Sequence, residues 1–252
     1  MHGKKLCETN VLSNTAISKE IYSINLNTPE IAKAVKPGQF AMVYLDKGEM
    51  LLPRPISFCD ANPETGIVTL VYQIVGAGTQ AMSELQKGDK LKILAPLGNG
   101  FYQPNGKKIA LVGGGIGTPP LLLMAKKLTE NGIKPDIFLG FRSDPILIEE
   151  FQPVAEKLFI ATEDGSFGHS GRILDVLEAQ KSYDEILSCG PTPMLRALKS
   201  YAAEKQVPTQ ISLEEYMGCG IGTCVGCVVK IKGTYTRICC EGTVFYSNEV
   251  DF

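Results

Sequence analysis

The chain has 252 residues, of which 44% are hydrophobic and 21% are charged, and its formal net charge is −2. This length and composition are typical of a globular protein with one to three compact units. The near-neutral charge argues against nucleic-acid binding, which requires a basic surface. The longest apolar runs are too short to span a bilayer.

The first residues include two lysines but no apolar stretch after them, so they do not form a secretory signal, and we expect a cytoplasmic protein. A reducing cytosol disfavours disulfides, which makes metal binding or redox chemistry the better explanation for clustered cysteines. The two histidines are His2, near the terminus, and His169, in a loop-like segment where a surface role is the simpler interpretation. If the chain is an enzyme, we expect its chemistry to reside in a cofactor.

The first hundred residues are predicted to form β-structure. Four short segments rich in β-branched and aromatic residues are separated by turn signals such as Lys36-Pro37-Gly38. These segments are 21–26, 39–45, 66–75 and 89–97. Short strands at this spacing predict a small antiparallel barrel over residues 1–101.

Two short motifs lie within this predicted barrel. In the segment from Arg54 to Phe58, the arginine can pair with a phosphate, and the Ser57 hydroxyl can bond a flavin ring nitrogen. After the strand ending near Val75, Gly78 and Thr79 belong to a possible phosphate nest. Each motif taken alone is also typical of an ordinary turn.

Residues 102–208 are predicted to form a second domain, in which strands and helices alternate. An apolar strand, a glycine turn and a helix with Pro119 in its first turn and Asn131-Gly132 at its end open this region. The predicted strands that follow are 136–142, 158–164 and 185–190, and the predicted helices are 149–158 (in part), 173–180 and 192–206. This alternation predicts a parallel sheet with helices on both faces.

Two turns of this domain are candidates for dinucleotide binding. The first contains Gly113, Gly114, Gly115, Gly117 and Thr118, and the second contains Cys189, Gly190 and Pro191. Both turns follow a strand and precede a helix, so both should lie at the carboxyl edge of the sheet, where backbone N–H groups bind a diphosphate. The first departs from G-x-G-x-x-G because Thr118 occupies the last glycine position, and a tight strand-to-helix turn is the alternative interpretation.

The choice between NADH and NADPH depends on residues at the end of the predicted strand 158–164. Glu163 and Asp164 would repel a ribose 2′-phosphate, which favours NADH over NADPH. Arg142, after the neighbouring strand, weakens this inference.

Residues 209–252 contain a cluster of cysteines, and we predict a small iron–sulfur domain there. Cys219, Cys224, Cys227 and Cys239 follow the C-x4-C-x2-C…C order of plant-type [2Fe–2S] proteins. The interspersed glycines permit positive φ angles and let backbone N–H groups approach the sulfurs. A structural zinc site is the alternative, although such sites more often have two C-x2-C pairs.

The fourth ligand is open on spacing alone, because Cys239 and Cys240 are adjacent. The segments 227–233 and 234–240 are predicted strands, which would point these two cysteines to opposite faces, so that only one faces the metal. Cys7 and Cys59 are interpreted as filling core or half-buried space.

These motifs, in this order, resemble the ferredoxin-reductase superfamily and, within it, the electron transfer subunits of type B dihydroorotate dehydrogenases. The resemblance covers essentially the whole chain and is most specific in the cysteine-rich segment. It implies that FAD lies across the barrel. The positions that match the FAD-binding residues are Arg54, Pro55, Ile56, Ser57, Val71, Tyr72, Gln73, Gly78 and Thr79.

The resemblance also implies the metal ligands Cys219, Cys224, Cys227 and Cys239. The last of these rests on a C-x-x-G-P-V-F ending, in which Thr243 here replaces the proline and Cys240 is an additional thiol.

The function implied by the resemblance is electron transfer between NAD⁺ and the FMN of a catalytic partner that interconverts dihydroorotate and orotate in pyrimidine biosynthesis. Electrons would pass through the [2Fe–2S] cluster and FAD, in a heterotetramer with two copies of each subunit. This chain would then hold no catalytic residue of its own. The alternatives are a flavin and iron–sulfur subunit of an NADH-dependent ferredoxin:NADP⁺ or sulfide oxidoreductase, and a non-catalytic zinc-binding interaction module.

Overall fold

A computed structural model describes residues 4–45, 51–180 and 182–252. The N-terminal strands close into an antiparallel barrel in the order β1-β2-β5-β4-β3-β6, which confirms the predicted barrel. Its elements are β1 (Lys5–Ser18), β2 (Ile21–Asn27), α1 (Pro29–Ala34), β3 (Phe40–Tyr44), β4 (Arg54–Asn62), β5 (Ile67–Gln73), α2 (Ala77–Ser83) and β6 (Lys90–Leu97). Two of these strands, β1 and β4, were not predicted from the sequence.

The second region is a seven-stranded sheet in the order β10-β9-β8-β7-β11-β12-β15, in which the last strand is Val244–Tyr246 from the C-terminal region. Its elements are β7 (Ile109–Gly114), a 3₁₀ turn (Gly115–Gly117), α3 (Pro119–Glu130), β8 (Asp136–Phe141), α4 (Ile148–Phe151), a second 3₁₀ turn (Gln152–Val154), β9 (Lys157–Thr162), β10 (His169–Ser170), α5 (Ile173–Glu178), β11 (Glu185–Cys189), α6 (Thr192–Lys205) and β12 (Thr209–Ser212). All its neighbouring strands pair in parallel except β12 with β15.

Helices cover both faces of this sheet, as predicted. Alternate residues of β7 point to opposite sides: Leu111 packs in the core that includes α3, and Val112 packs in the core that includes α5 and α6. This is the pattern of a parallel sheet buried on both faces. None of the helices among the described residues is long and apolar enough to cross a membrane.

The C-terminal region has little regular structure of its own. It contains β13 (Val228–Ile231), β14 (Thr234–Arg237), α7 (Ile238–Glu241), β15 (Val244–Tyr246) and a 3₁₀ turn (Ser247–Glu249). The predicted strand over 234–240 is wrong in its second half, since Cys239 and Cys240 lie in the helical turn α7. The Gly242 N–H donates to the Ile238 carbonyl and closes that turn.

The three regions share one hydrophobic core. This core contains Phe40, Met42 and Leu97 from the barrel, Leu195 and Ile211 from the sheet region, and Cys227, Ile238, Cys239 and Phe245 from the C-terminal region. The parallel sheet takes β12 and β15 from the range 209–252, and the predicted domain bounds 1–101, 102–208 and 209–252 stay predictions. Packing across the regions fixes their relative positions, and thereby the positions of the sites described next.

Candidate cofactor sites

The two barrel motifs meet in space, although 24 positions separate Arg54 from Gly78. A Cβ atom built on Gly78 would lie 1.9 Å from Nε and 2.3 Å from Cζ of Arg54. Only glycine therefore allows the guanidinium to lie against the start of α2. The guanidinium also donates a hydrogen bond to the Leu52 carbonyl.

The start of α2 is held by Thr79, whose side chain is buried. Its hydroxyl oxygen accepts the Val75 N–H at 2.9 Å and the Gly76 N–H at 3.3 Å. Thr79 thus has a structural role at the helix start, beside the Arg54 guanidinium. A positive side chain and a helix N-terminus side by side suit the phosphates of a dinucleotide.

The remaining predicted flavin-binding residues lie where two barrel strands separate. The pairing of β4 with β5 begins at Phe58–Leu70, and in the described ladder no pair joins Arg54–Ser57 to Val71–Gln73. The first part of β4 pairs with β3 instead, Met42 lying opposite Pro55. Backbone groups of both segments are therefore available to a ligand between the strands.

The side chain of Tyr72 belongs to the barrel core and does not face that opening. Its hydroxyl donates to Asn14 Oδ1 at 3.0 Å, its ring stacks on Tyr22, and burial raises its pKa to about 12. Any cofactor contact from this position comes from the main chain. Sequence reasoning did not identify Asn14, whose amide also donates to the Met82 carbonyl and so ties β1 to α2.

The two predicted nucleotide turns lie in direct contact at the carboxyl edge of the sheet. Cys189 on β11 pairs with Gly113 on β7, and a Cβ on Gly117 would lie 2.5 Å from Gly190 Cα. A Cβ on Gly114 would meet Pro191 Cδ at 2.8 Å. The close approach of these two turns requires glycine.

Two side chains in these turns have chemically unusual surroundings. The Thr118 hydroxyl is fully buried and has no hydrogen-bond partner in the part of the chain that the structure describes. Burial, then the nearby Glu214, raises the pKa of the Cys189 thiol, so this cysteine is neutral. Sequence reasoning missed Glu214, which lines a cleft of about 420 Å³ together with Gly190 and Pro191.

The acidic loop after β9 lies next to the end of β8. The Asp164 N–H donates to the Arg142 carbonyl, and the Asp164 carboxylate accepts hydrogen bonds from Ser166 that lower its pKa. Glu163 follows β9 directly, and its N–H donates to Phe141. His169, in the same segment, is exposed, in line with its interpretation as a surface residue.

The cysteine loop brings the predicted ligands together in two pairs. The Cys224 N–H donates to Cys219 Sγ, and the Cys239 N–H donates to Cys227 Sγ. In residues 4–45, 51–180 and 182–252, no three His, Cys, Asp or Glu side chains lie close enough to hold a single metal ion. Two thiol pairs suit a cluster of two irons, and the donor set fits the predicted group.

Backbone N–H groups are directed at these sulfurs. Cys219 Sγ accepts the N–H groups of Ile221, Thr223 and Cys224 at 3.4, 3.3 and 3.4 Å. Burial raises the pKa of Cys219, but these donors, Cys224 first, outweigh it and lower the pKa to about 6. The thiolate, which is the form that binds metal, therefore predominates at neutral pH.

Cys240 is placed differently from Cys239. The Cys239 N–H donates to Cys227 Sγ at 3.5 Å, whereas the Cys240 thiol contacts the Arg237 carbonyl at 3.8 Å. This geometry favours Cys239 as the fourth ligand, which stays a prediction. Thr243, at the position of the expected proline, donates its hydroxyl to the Gly38 carbonyl at 2.7 Å and ties the C-terminal region to the barrel.

The cysteine loop packs directly on the barrel. A Cβ on Gly220 would lie 2.5 Å from Met42 Cγ and 3.0 Å from Leu97 Cδ1. A Cβ on Gly218 would lie 3.9 Å from Leu52, whose carbonyl accepts the Arg54 guanidinium. The predicted cluster ligands and flavin-binding residues are thus adjacent.

Comparisons with known proteins identify the C-terminal region first. Residues 214–251 match the iron–sulfur cluster binding domain of dihydroorotate dehydrogenase B. The solved structure of an NADH-dependent reduced ferredoxin-NADP oxidoreductase has a TM-score of 0.88 and 31% identity, covering 100% of this chain and 91% of that chain.

Curated relatives match over nearly the full length. The electron transfer subunit of dihydroorotate dehydrogenase B (NAD⁺) from Bacillus caldolyticus is 40% identical over 250 residues, which cover 95% of this chain and 96% of the relative. The subunit of the same name from Caldanaerobacter subterraneus subsp. tengcongensis is 41% identical over 247 residues, with 96% and 97% covered. These matches confirm the predicted resemblance: the chain belongs to the family of dihydroorotate dehydrogenase B electron transfer subunits.

Proposed function

We propose that this chain carries electrons between NAD⁺ and the FMN of a catalytic partner that oxidises dihydroorotate to orotate, in a cytoplasmic heterotetramer of two copies of each subunit. Family membership confirms the predicted oxidoreductase class, the electron-transfer function and the cofactors FAD, [2Fe–2S] and NAD. It also implies a catalytic partner. The partner's FMN, the stoichiometry and the location belong to the proposal.

One observation carries this proposal: the cysteine loop packs on β3, the barrel strand that pairs with the flavin motif on β4. Gly220 of the loop contacts Met42 on β3, and Met42 lies opposite Pro55 on β4. The proposed sites for a one-electron carrier and for a flavin would therefore be adjacent in one folded unit. When bound, a flavin would exchange one hydride, which carries two electrons, with NAD and two single electrons with the cluster.

In the proposed FAD site, the chain supplies both charge and hydrogen bonds. The Arg54 guanidinium and the start of α2, which Gly78 allows to approach each other, would hold the diphosphate. Ser57, half-buried near the start of β4, would donate to the flavin ring. Val71, Tyr72 and Gln73 would contribute backbone groups from β5, because the side chains of the first two are buried.

In the proposed nucleotide site, the two contacting turns would bind the NAD diphosphate through backbone N–H groups. Apart from its chain neighbours, no described residue has an atom within 4 Å of the Cβ position of Gly115, so a ligand can approach the backbone there. The buried Thr118 hydroxyl, which lacks a partner among the described residues, holds an unused hydrogen-bonding capacity at this turn. Asp164 and Glu163 would disfavour a ribose 2′-phosphate, so that NAD is preferred over NADP.

The surface around the cysteine loop suits a protein partner. Four large apolar side chains in or beside the loop are highly exposed: Leu52 (59%), Tyr216 (93%), Ile221 (51%) and Val225 (62%). Exposed apolar groups in one neighbourhood are typical of protein–protein contacts. We propose that the catalytic subunit docks there, which would bring its flavin close to the cluster ligands.

The test is co-expression of this chain with the FMN-bearing dehydrogenase encoded in the same genome, followed by co-purification and an assay. The proposal predicts a yellow-brown complex containing FAD, FMN and iron that forms orotate from dihydroorotate with NAD⁺ as acceptor. The catalytic subunit alone, assayed with NAD⁺, is the control. A stable complex with full cofactor content but no NAD⁺-linked orotate formation would contradict the proposal.

A second candidate function follows from the solved structure at 31% identity, an NADH-dependent reduced ferredoxin-NADP oxidoreductase. If this function holds, the same purified chain, mixed with ferredoxin and NADP⁺, would catalyse electron transfer among NADH, ferredoxin and NADP⁺ in the absence of dihydroorotate. Identity near 40% over nearly the full length to dihydroorotate dehydrogenase B subunits places this candidate second.

A further inference from the structure

One arginine in the C-terminal region, which is not a candidate metal ligand, is hydrogen-bonded to the cysteine loop. Arg237, at the end of β14, donates from Nη1 to the Gly222 carbonyl at 3.0 Å. Its Nε and Nη2 donate to the two carboxylate oxygens of Glu241 at 3.0 and 3.3 Å. The side chain therefore joins the loop that contains Cys219 and Cys224 to α7, the helical turn that contains Cys239.

The Gly222 carbonyl lies one peptide group away from a proposed ligand sulfur. It belongs to the same planar peptide group as the Thr223 N–H, which donates to Cys219 Sγ at 3.3 Å. Fixing the carbonyl therefore fixes the direction of the N–H.

The ion pair alone does not explain this arrangement. The Arg237 and Glu241 side chains are 41% and 45% exposed, and an ion pair this exposed contributes little to stability. The Gly222–Thr223 peptide, however, accepts a hydrogen bond from the guanidinium at its C=O and donates one to the Cys219 sulfur from its N–H, and the charged donor on the carbonyl polarises the N–H. Hydrogen bonds to the sulfurs are among the factors that set the reduction potential of an iron–sulfur cluster.

We propose that Arg237 is a positioning residue for the iron–sulfur cluster. By holding the Gly222 carbonyl, it aims the Thr223 N–H at the Cys219 sulfur and raises the reduction potential of the cluster. This inference rests on the proposed ligand set.

The experiment measures iron and sulfide per chain, the electron paramagnetic resonance spectrum and the midpoint potential of the cluster in the purified FAD-loaded protein. Arg237→Gln removes both the charge and the fork-shaped contact, and Arg237→Lys keeps the charge but cannot hold Gly222 and Glu241 in the same way. We expect a more negative midpoint potential in both variants, with a larger shift in Arg237→Gln. Glu241→Gln should shift the potential in the same direction by less.

The matched control is Arg172→Gln. Arg172 forms an exposed pair with Asp175 three residues on, at 3.0 Å, far along the chain from the cysteine loop. This control changes the net charge equally and should leave the potential unchanged.

Three results would overturn the inference. The first is an Arg237→Gln potential equal to that of Arg172→Gln at full iron content. The second is a wild-type potential in Arg237→Lys with a shift only in Arg237→Gln, since charge alone would then be responsible. The third is loss of iron from Arg237→Gln with an unchanged potential in both Arg237→Lys and Glu241→Gln. Wild-type protein without iron would instead contradict the proposed function, so the two failures are distinguishable.

Discussion

The nucleotide turn and the cysteine loop are both rich in glycine, but different forces hold them in shape. In the nucleotide turn, glycines let one backbone pack against another, as Gly117 does against Gly190. In the cysteine loop, N–H groups converge on the Cys219 sulfur and an arginine fixes one peptide. The proposed nucleotide site is shaped by the packing of backbone on backbone, whereas the cysteine loop is organised around the sulfurs of the proposed iron ligands. Substitutions in the first should therefore affect stability, and those in the second should affect cofactor content.

The largest effect is expected from Cys227→Ser. The Cys227 thiol is buried, and its sulfur accepts the Cys239 N–H. Replacing Cys227 therefore removes a proposed ligand from the buried part of the loop. We expect loss of the cluster with FAD retained, measured as iron, sulfide and flavin per chain. Cys7→Ser, a half-buried position on β1, is the control and should keep the cluster. Full iron content in Cys227→Ser would remove Cys227 from the ligand set.

In the nucleotide turn, Gly117→Ala should mainly destabilise the fold. The new methyl group would lie 2.5 to 2.7 Å from backbone atoms of Gly190 and Cys189, which cannot move aside as a flexible side chain would. We expect a loss of about 3 kcal/mol in the free energy of unfolding, at the upper end for overpacking. Chemical denaturation of the FAD-loaded protein measures it. A loss below that of Gly115→Ala would mean that the two turns are less tightly packed.

In the barrel, Gly78→Ala should weaken FAD binding while leaving the fold largely intact. The methyl group would displace the Arg54 guanidinium, a movable side-chain end, from the start of α2. Losing a hydrogen bond to a charged group costs about 1.5–3 kcal/mol, or roughly a tenfold to hundredfold loss in affinity. Titration of the apoprotein with FAD measures it. Gly76→Ala is the control, since its Cβ position is open and its backbone is extended, and equal affinities in both variants would contradict the prediction.

A smaller effect is expected from Gly115→Ala, two positions before Gly117. Among the described residues beyond its chain neighbours, none has an atom within 4 Å of its Cβ position, but φ is +51°, so the penalty is conformational and not steric. We expect about 1 kcal/mol in unfolding free energy, the usual cost of the left-handed region for a residue with a Cβ. Denaturation under the same conditions compares the two glycines. A cost of 3 kcal/mol or more here would show that contacts beyond backbone conformation are involved.

The smallest effect is expected from Cys240→Ser. Its thiol contacts the Arg237 carbonyl, which a serine hydroxyl also can, and it is not paired with another proposed ligand. We expect full iron content and an unchanged cluster spectrum. Cys239→Ser, measured in parallel, should lose iron. Iron loss confined to Cys240→Ser would exchange the roles of the two cysteines.

Much of the fold and of the sites follows from local sequence patterns. The spacing of Cys219, Cys224 and Cys227 predicts a loop that folds around a cluster, and the glycine turn between β7 and α3 predicts a site at the carboxyl edge of a sheet. These patterns are short, and the residues that carry them are close in the chain.

The unpredicted parts depend on contacts between distant residues. Pro55 made the start of β4 look like a turn, yet the residue lies in a strand that pairs only with β3 at that point, so its missing N–H costs little. The β-branched run before Cys239 predicted a strand, but the Ile238 N–H donates to the Cys227 carbonyl, and the chain turns into α7. Nor does any local pattern place Arg54 against Gly78, or Arg237 against Gly222.

The core shared by barrel, sheet and C-terminal region has a mechanical consequence. Met42, Ile211 and Ile238, one from each region, are fully buried in it, so close packing among the described residues connects the proposed cluster and flavin sites. The distance between these sites is then set by close-packed side chains and not by a flexible linker. Raising the solvent viscosity with glycerol should slow docking of the partner, but the rate of electron transfer within this chain should stay the same as in buffer without glycerol.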